Sequence, residues 1–382
     1  MTAAARLALR FHLARRPDDP VHAHLRRDHP HLLAAAARLD PSPPLPRTIR
    51  GHDESWLRLP EHYRSVLRPL DGGGVLVLKG AEPALADFAE LIAWMAATTF
   101  RGPSNAGHAP MLEHLALRER KVPGALTLRE AEREATVALH VQALHLAHYG
   151  ELARLPVPLA IHTFSGEALQ AAARAWRAHL SPAAQEHVRE HLAAGLAVYA
   201  YAYLGWPVRA RSYTRRLPGE DEPARRRRIE AYDVATIIDR WTRLLIRLLY
   251  LGYMPYSYHN EGLGACFDAG NACLDGGFVD VDSLTPIAGL RDDGEVFDAL
   301  VASLAGLDRT IERLLPDDCE RETREVLRRG HVWACYRRAL DSEARPGLRL
   351  DPRVREAIEP LEFPRLVHRL RSRRRSGGDF LA

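Results

Sequence analysis

The stretch GGGVLVLKG, Gly72 to Gly80, decides how the rest of the chain is read. Three glycines close whatever precedes them, and Val75, Leu76, Val77, Leu78 and Lys79 then form a short run that ends on glycine again. A brief, continuous apolar run between turn residues predicts a buried strand. Lys79 ends that strand, and lysine is rare in this chain: Lys and Arg together number 53, yet only Lys79 and Lys121 are lysine. Arg serves wherever a plain positive charge suffices, so a lysine on an apolar strand asks for a reason specific to a compact, titratable ammonium. A strand-end lysine that snorkels to solvent is the plain alternative.

Outward from this strand the pattern is largely helical. Residues 1–45 are rich in Ala, Leu, Arg and His and run into the prolines Pro41, Pro43, Pro44 and Pro46, which predicts one or two short helices and a linker. Helical spacing returns over 83–100, and the Gly/Pro/Ser/Asn segment 101–108 predicts a loop. Thr127, with Glu130 three residues on, predicts a capping box at the start of a long amphipathic helix ending near Gly150. Pro156 to Ile161 predicts a strand whose prolines suit an edge. Residues 166–204 predict helix broken at Ser181 and Pro182, 205–228 an irregular basic segment, 229–251 a strongly apolar helix, and 293–316, 320–340 and 353–371 three more. The order predicts an α+β fold, mostly helical, with a small strand-containing lobe and a larger helical lobe. The expected division is an N-terminal helical extension over 1–50, a strand-bearing region with a helical insertion over 51–164, and a helical region over 165–382 that carries a polar loop at 252–285.

Composition is that of an ordinary globular protein, 46% hydrophobic with a net charge of +4. The longest apolar stretches fall far short of a bilayer span, no secretory pattern stands at the N-terminus, and Cys266, Cys273, Cys319 and Cys335 form no CxxC pair. These features predict a cytoplasmic protein with free thiols and no membrane partner. The runs Arg225–Arg228 and Arg371–Arg375 read as a solvated loop and a tail, and with no nucleic-acid-binding motif present no nucleic-acid partner is expected.

The densest polar segment is GYMPYSYHNEGLGACFDAGNACLDGGFVDVDSL, Gly252 to Leu284. Leu274 to Phe278 predicts a tight turn between two short strands. Residues 278–282 alternate apolar and acidic, which places Asp280 and Asp282 on one strand face. Asn271 and Asp280 at the two ends of the hairpin make a convergent pair of oxygen ligands suited to Mg²⁺, which takes few protein ligands and fills its shell with water and phosphate. An acidic surface hairpin is the alternative; the spacing of a calcium loop is absent. Other polar candidates carry less. His140, His145 and His148 show no HExxH pattern and read as helix-surface residues, Ser257 lacks a GxSxG context, and Cys266 and Cys273 read as packed thiols.

Kinase-fold enzymes place a lysine on a strand after a glycine-rich loop and pair it with a glutamate on the next helix, which holds the ammonium against nucleotide phosphates. The helix beginning at Thr127 offers Glu130, Glu132 and Glu134. The motifs here resemble those of the selenoprotein O (YdiU-like) family of kinase-fold protein adenylyltransferases. The chain has Leu78-Lys79-Gly80-Ala81, then Leu128-Arg129 through Arg133-Glu134, then Leu155-Pro156, Gly252-Tyr253, and Asn271 with Asp280 nine residues on. The order matches the family's, over roughly residues 70–285.

The resemblance implies a bilobal protein-kinase-like fold and an ATP- and Mg²⁺-dependent transferase that moves AMP or a phosphoryl group onto a hydroxyl or amine of a protein, peptide or small-molecule acceptor. It implies Lys79 on the phosphates, Glu134 orienting Lys79, and Asn271 and Asp280 on the metal. Arg211 and Arg215 stand about where the family has its phosphate-binding arginines. The family's catalytic Asp directly precedes the metal Asn; this chain has Gly270 there, with Asp268 as the nearest replacement. That departure keeps a second expectation open, a catalytically inactive pseudokinase-like protein that binds a nucleotide or a partner. Residues 83–123 and 255–267 are insertions relative to the family pattern, and the second is expected to line an acceptor pocket through Tyr258 and His259, with Tyr256 and Glu261 beside them.

Overall fold

The computed structural model describes residues 7–12, 19–38, 64–82, 88–97, 99–100, 109–118, 122–164, 166–210, 221, 223, 233–257, 264–265, 267, 270–314 and 330–358. The chain is α+β and mostly helical. It forms two compact units, residues 1–139 with 157–204, and residues 140–156 with 205–381. The second unit thus takes in residues 140–156 as well as the chain from Gly205 on.

The first unit is built on a six-stranded antiparallel sheet. Its strands are β1 (Leu7–His12), β2 (Ser65–Pro69), β3 (Val75–Lys79), β4 (Leu126–Thr127), β5 (Val157–Phe164) and β6 (Leu196–Tyr203). They lie in the order β1-β5-β6-β3-β2, with β4 also on β6. Every residue of β3 is buried, as its unbroken apolar run predicts. β2 flanks it and ends at Pro69, a residue that cannot donate to a further strand. The helices α1 (Pro20–Asp28) and α2 (Pro30–Ala37) are the short N-terminal helices expected, each with proline in its first turn.

β6 corrects the sequence reading, which continued helix to residue 204. Its eight residues, LAVYAYAY, are all buried. The alanines favour helix locally, but Tyr199, Tyr201 and Tyr203 recur at period two and cover one face, while Ala200 and Ala202 face the other. β6 is central because it pairs with β5 on one side and with β3 and β4 on the other. Two helices, α3 (Gly166–Arg177) and α4 (Pro182–Ala193), connect β5 to β6, and the second is capped by Ser181, whose hydroxyl accepts from the N–H of Ala184.

Between β4 and β5 runs α5 (Leu128–Tyr149), whose residues through Leu139 belong to the first unit. The capping box is formed: the Glu130 N–H donates to Thr127 Oγ1 at 3.2 Å and the Thr127 N–H to Glu130 Oε2 at 2.8 Å.

The second unit contains α6 (Val234–Tyr250), α7 (Asp293–Leu314), α8 (Val332–Ser342) and α9 (Pro352–Ile358) around a three-stranded antiparallel sheet. In that sheet β7 (Tyr253–Ser257) lies between β8 (Gly264–Ala265) and β9 (Leu284–Pro286). Residues 255–257, expected as the start of a loop, are thus strand. No helix of the described residues is long and apolar enough to cross a membrane.

Candidate functional site

Lys79 occupies the last position of β3, opposite Ser65 on β2 and Tyr199 on β6. Residues directly opposite in an antiparallel ladder point to the same face, so the lysine and Tyr199 share one side of the sheet. The chain leaves the strand through Gly80, at φ +83°. A Cβ there would meet the Ala197 carbonyl oxygen at 2.5 Å and the Leu126 Cβ at 2.6 Å, so only glycine fits.

On that face the Lys79 ammonium donates to Glu134 Oε2 at 2.7 Å. Both are deeply buried, Lys79 at 4% and Glu134 at 1% exposure. This is the ion pair expected from the strand and helix motifs. Its proximity has a local cause. Ala131, Ala135 and Ala138 are buried along α5, and their small side chains let the helix lie close enough for a carboxylate to reach the strand-end lysine.

Glu130, one turn earlier, is held below the ordinary carboxylate range. Burial pushes its pKa up, but the Arg64 guanidinium, the hydrogen bonds from Thr127 and the Lys79 charge outweigh that. The Tyr199 hydroxyl is fully buried and its pKa is driven well up, first by burial and then by the neighbouring Glu134 carboxylate. It therefore stays protonated beside the pair. Tyr199 was missed from sequence because β6 was read as helix; the period-two tyrosines were the available signal.

In the second unit the expected hairpin is present. Asn271 and Val279 close it, with the Val279 N–H donating to the Asn271 carbonyl at 2.9 Å, and Ala272 bridges Phe278. The turn is tied by Cys273 N–H to the Gly277 carbonyl at 2.8 Å and by Gly277 N–H to Asp275 Oδ1 at 3.0 Å. Trp241 Nε1 donates to the Cys273 carbonyl at 2.7 Å and anchors the hairpin to α6.

Past the hairpin the structure departs from the expected strand. Asp280 adopts the left-handed conformation, φ 69° and ψ 49°, and Val281–Ser283 form a 3₁₀ turn. Among the described residues Asp280 is alone among non-glycines in having positive φ. Ser283 ties the turn back, donating from both N–H and Oγ to the Asp280 carbonyl. Asp280 and Asp282 still come together, by the turn and not by a strand face, and a carboxylate oxygen of each lies within 4.8 Å of the other. Both side chains are half-exposed, as is Asn271. A hard-oxygen donor set of this kind suits a small divalent cation such as Mg²⁺. A non-glycine residue held left-handed beside such a donor set fits the way functional sites concentrate backbone strain.

Asp268, Arg211, Arg215, Tyr258, His259 and Glu261 lie outside the described residues. His145 is buried in the second unit, where it was expected on the helix surface. His140 does lie at the helix surface and meets the Tyr253 hydroxyl at 3.0 Å. Cys273 is a buried free thiol, as expected.

Comparison of the sequence with protein-family models and with curated proteins returns no match. The site therefore rests on its own geometry.

Proposed function

We propose that the chain is an ATP- and Mg²⁺-dependent transferase of bilobal, protein-kinase-like fold, moving AMP or a phosphoryl group onto a hydroxyl or amine acceptor. The observation that carries this reading is the buried pair of Lys79, on a strand led by three glycines, and Glu134, on α5. A nearly dry ion pair is an expensive feature that stability alone seldom explains, because apolar residues of similar volume serve stability as well or better. A lysine so fixed presents a single, oriented positive charge to nucleotide phosphate.

In this reading Lys79 binds phosphate oxygens, Glu134 fixes its position, and Asn271, Asp280 and Asp282 hold Mg²⁺. The metal would neutralise phosphate charge; the side chains do the orienting. Asp268 stands as the base and Arg211 and Arg215 as further phosphate ligands on the sequence resemblance. The resemblance likewise assigns the acceptor to the 255–267 insertion, through Tyr258 and His259.

A second reading has its own observation. Gly270, where the resembling family carries its catalytic Asp, has no side chain to act as a base. The chain would then bind a nucleotide or partner without transferring anything. Thermal-shift measurements with ATP, with and without Mg²⁺, followed by mass spectrometry for added AMP or phosphate, separate the two. Mg²⁺-dependent stabilisation with a covalent adduct supports the transferase. Stabilisation with no adduct on any acceptor supports the inactive binder. No nucleotide response in the wild type, with the Lys79 and Glu134 variants behaving as it does, rejects both.

A further inference from the structure

The second unit holds a groove that the proposed transfer does not use. Its volume is about 560 Å³, and its walls come from the end of α5 and the loop after it, the first four turns of α6, the hairpin glycine Gly276, and the first two turns of α8. That volume lies within the range of small-molecule sites. Five guanidinium groups line it, from Arg154, Arg240, Arg243, Arg247 and Arg338, against two carboxylates, Glu151 and Asp239.

The arginines are not loosely arrayed. The Arg247 Nε donates to Glu343 Oε2 at 2.7 Å and its Nη1 to Glu151 Oε1 at 2.7 Å. Arg243 pairs with Asp239 at 3.1 Å and with buried Glu343 at 3.4 Å. His145 adds to this order. Its pKa is pushed down to about 4, mainly by burial, so it is neutral. Its Nδ1 then donates to the Glu151 carbonyl at 2.7 Å, and its Nε2 accepts from Arg247 at 3.2 Å. Arg154 donates to the Asp275 carbonyl at 2.6 Å.

Arg240 differs. It is exposed, donates to the same carbonyl at 3.4 Å, and has no carboxylate within 4 Å among the described residues. Gly276 lets the hairpin pack against its stem, because a Cβ there would meet the Arg240 Cβ at 2.3 Å. The result is a positioned cation whose charge no carboxylate among the described residues answers.

Arg240, Arg243 and Arg247 are three and four residues apart on one helix face, spanning about 10 Å of axis. Ala235 and Thr236, in the first turn of α6, also line the groove, so the α6 N-terminus contributes its positive end. Arg forks favour bidentate phosphate contacts.

We propose that this groove is a separate anion site for a small molecule bearing a di- or triphosphate group. Glu151 and Asp239 interrupt the basic lining and the cavity is compact, which favours a short oligophosphate over an extended nucleic-acid strand. The phosphate chain can belong to inorganic oligophosphate, a nucleotide, or another phosphorylated metabolite.

The test is calorimetric titration of the full chain with inorganic tripolyphosphate in EDTA, which keeps the site free of divalent metal. The wild type is expected to bind it, Arg240→Glu to weaken it at least tenfold, Arg154→Gln to weaken it less, and Asp280→Ala to leave it unchanged. Circular dichroism confirms folding of the exposed-site variants. ATP and a sugar bisphosphate, titrated in parallel, show whether the rest of the ligand is read; either ranking keeps the site. No binding by wild type, or equal affinity in Arg240→Glu, overturns the proposal. So does Arg240-dependent binding of a short RNA more tightly than tripolyphosphate. A failed nucleotide response at Lys79 with Arg240-dependent tripolyphosphate binding would sink the transferase reading and leave this one standing.

Discussion

Replacing Lys79 with methionine should expose how deeply the Lys79–Glu134 pair is embedded. Methionine follows the lysine stem, so packing in β3 changes little. Glu134, 1% exposed, is left without its cation. Breaking a buried pair costs about 3–5 kcal/mol. There is also a ceiling, because a carboxylate that cannot keep its charge takes up a proton instead. From an ordinary Glu pKa of about 4.3, that uptake costs about 3.7 kcal/mol at pH 7 and about 1 kcal/mol at pH 5.

The sign follows. Losing the lysine raises the folded pKa of Glu134 above its unfolded value, so the penalty is present above the unfolded pKa and fades as the pH falls toward it. Lys79→Met should therefore lose about 3–4 kcal/mol at pH 7 and much less at pH 5. The double variant Lys79→Met with Glu134→Leu should recover to within about 1 kcal/mol of wild type, since the buried charge is gone. Urea unfolding at both pH values gives the numbers directly. A loss under about 1 kcal/mol at pH 7, or one that does not shrink at pH 5, would refute the claim that the pair is dry. A recovered double variant without nucleotide response would show that the charges serve binding and not folding.

Other expectations follow from single contacts. Gly80→Ala should destabilise by more than about 1 kcal/mol, because the Cβ meets a backbone carbonyl at positive φ; an unchanged urea midpoint would contradict the strand exit described. Asp280→Asn keeps a side chain tolerant of the left-handed conformation and should hold stability within about 0.5 kcal/mol while weakening the Mg²⁺ dependence of any nucleotide shift; Asp280→Ala should lose about 1 kcal/mol as well as the Mg²⁺ response. His145, with its folded pKa pushed down to about 4 by burial, contributes stability that is complete above the usual histidine value and is lost as the pH falls toward 4. A His145→Gln variant should flatten that acid limb, and an identical pH–stability curve would show that His145 does not titrate as described.

How much of this was legible in the sequence depends on how local each feature is. β3, the capping box of α5 and the 271–279 hairpin are each specified within about ten residues, by glycine punctuation, a Thr–Glu spacing or an LDGGF turn, and all three are present. The pairing of Lys79 with Glu134 is separated by 55 positions and was reachable because lysine is so scarce here. β6 was not legible by the same logic. Alanine at 197, 200 and 202 has the highest helix propensity, and the strand state is imposed by partners on both edges, β5 and β3. Asp280 and Asp282 were read on one strand face, but the left-handed turn at Asp280 ends any strand there. The arginine groove draws on residues near 150, 240, 276 and 335, so no local pattern announces it.

The two kinds of cation in this chain divide along physical lines, which bears on what each site can hold. An ammonium is compact and carries only three donors, one of which Lys79 places on Glu134. A guanidinium in that place would need several acceptors for its five donors, and the buried face of β3 and β6 offers mostly Val, Leu, Ala and Tyr. The groove is the reverse case. Its arginines lie at or near the surface, where flat forks can be tied at one edge by Glu343, Asp239 or a carbonyl and still offer the other edge outward. Exchanging the two should then fail in both directions. Lys79→Arg buries donors without acceptors, while Arg240→Lys keeps the charge but loses the second hydrogen bond to a phosphate. If tripolyphosphate affinity survives Arg240→Lys undiminished, the groove attracts anions by charge alone and does not recognise phosphate geometry.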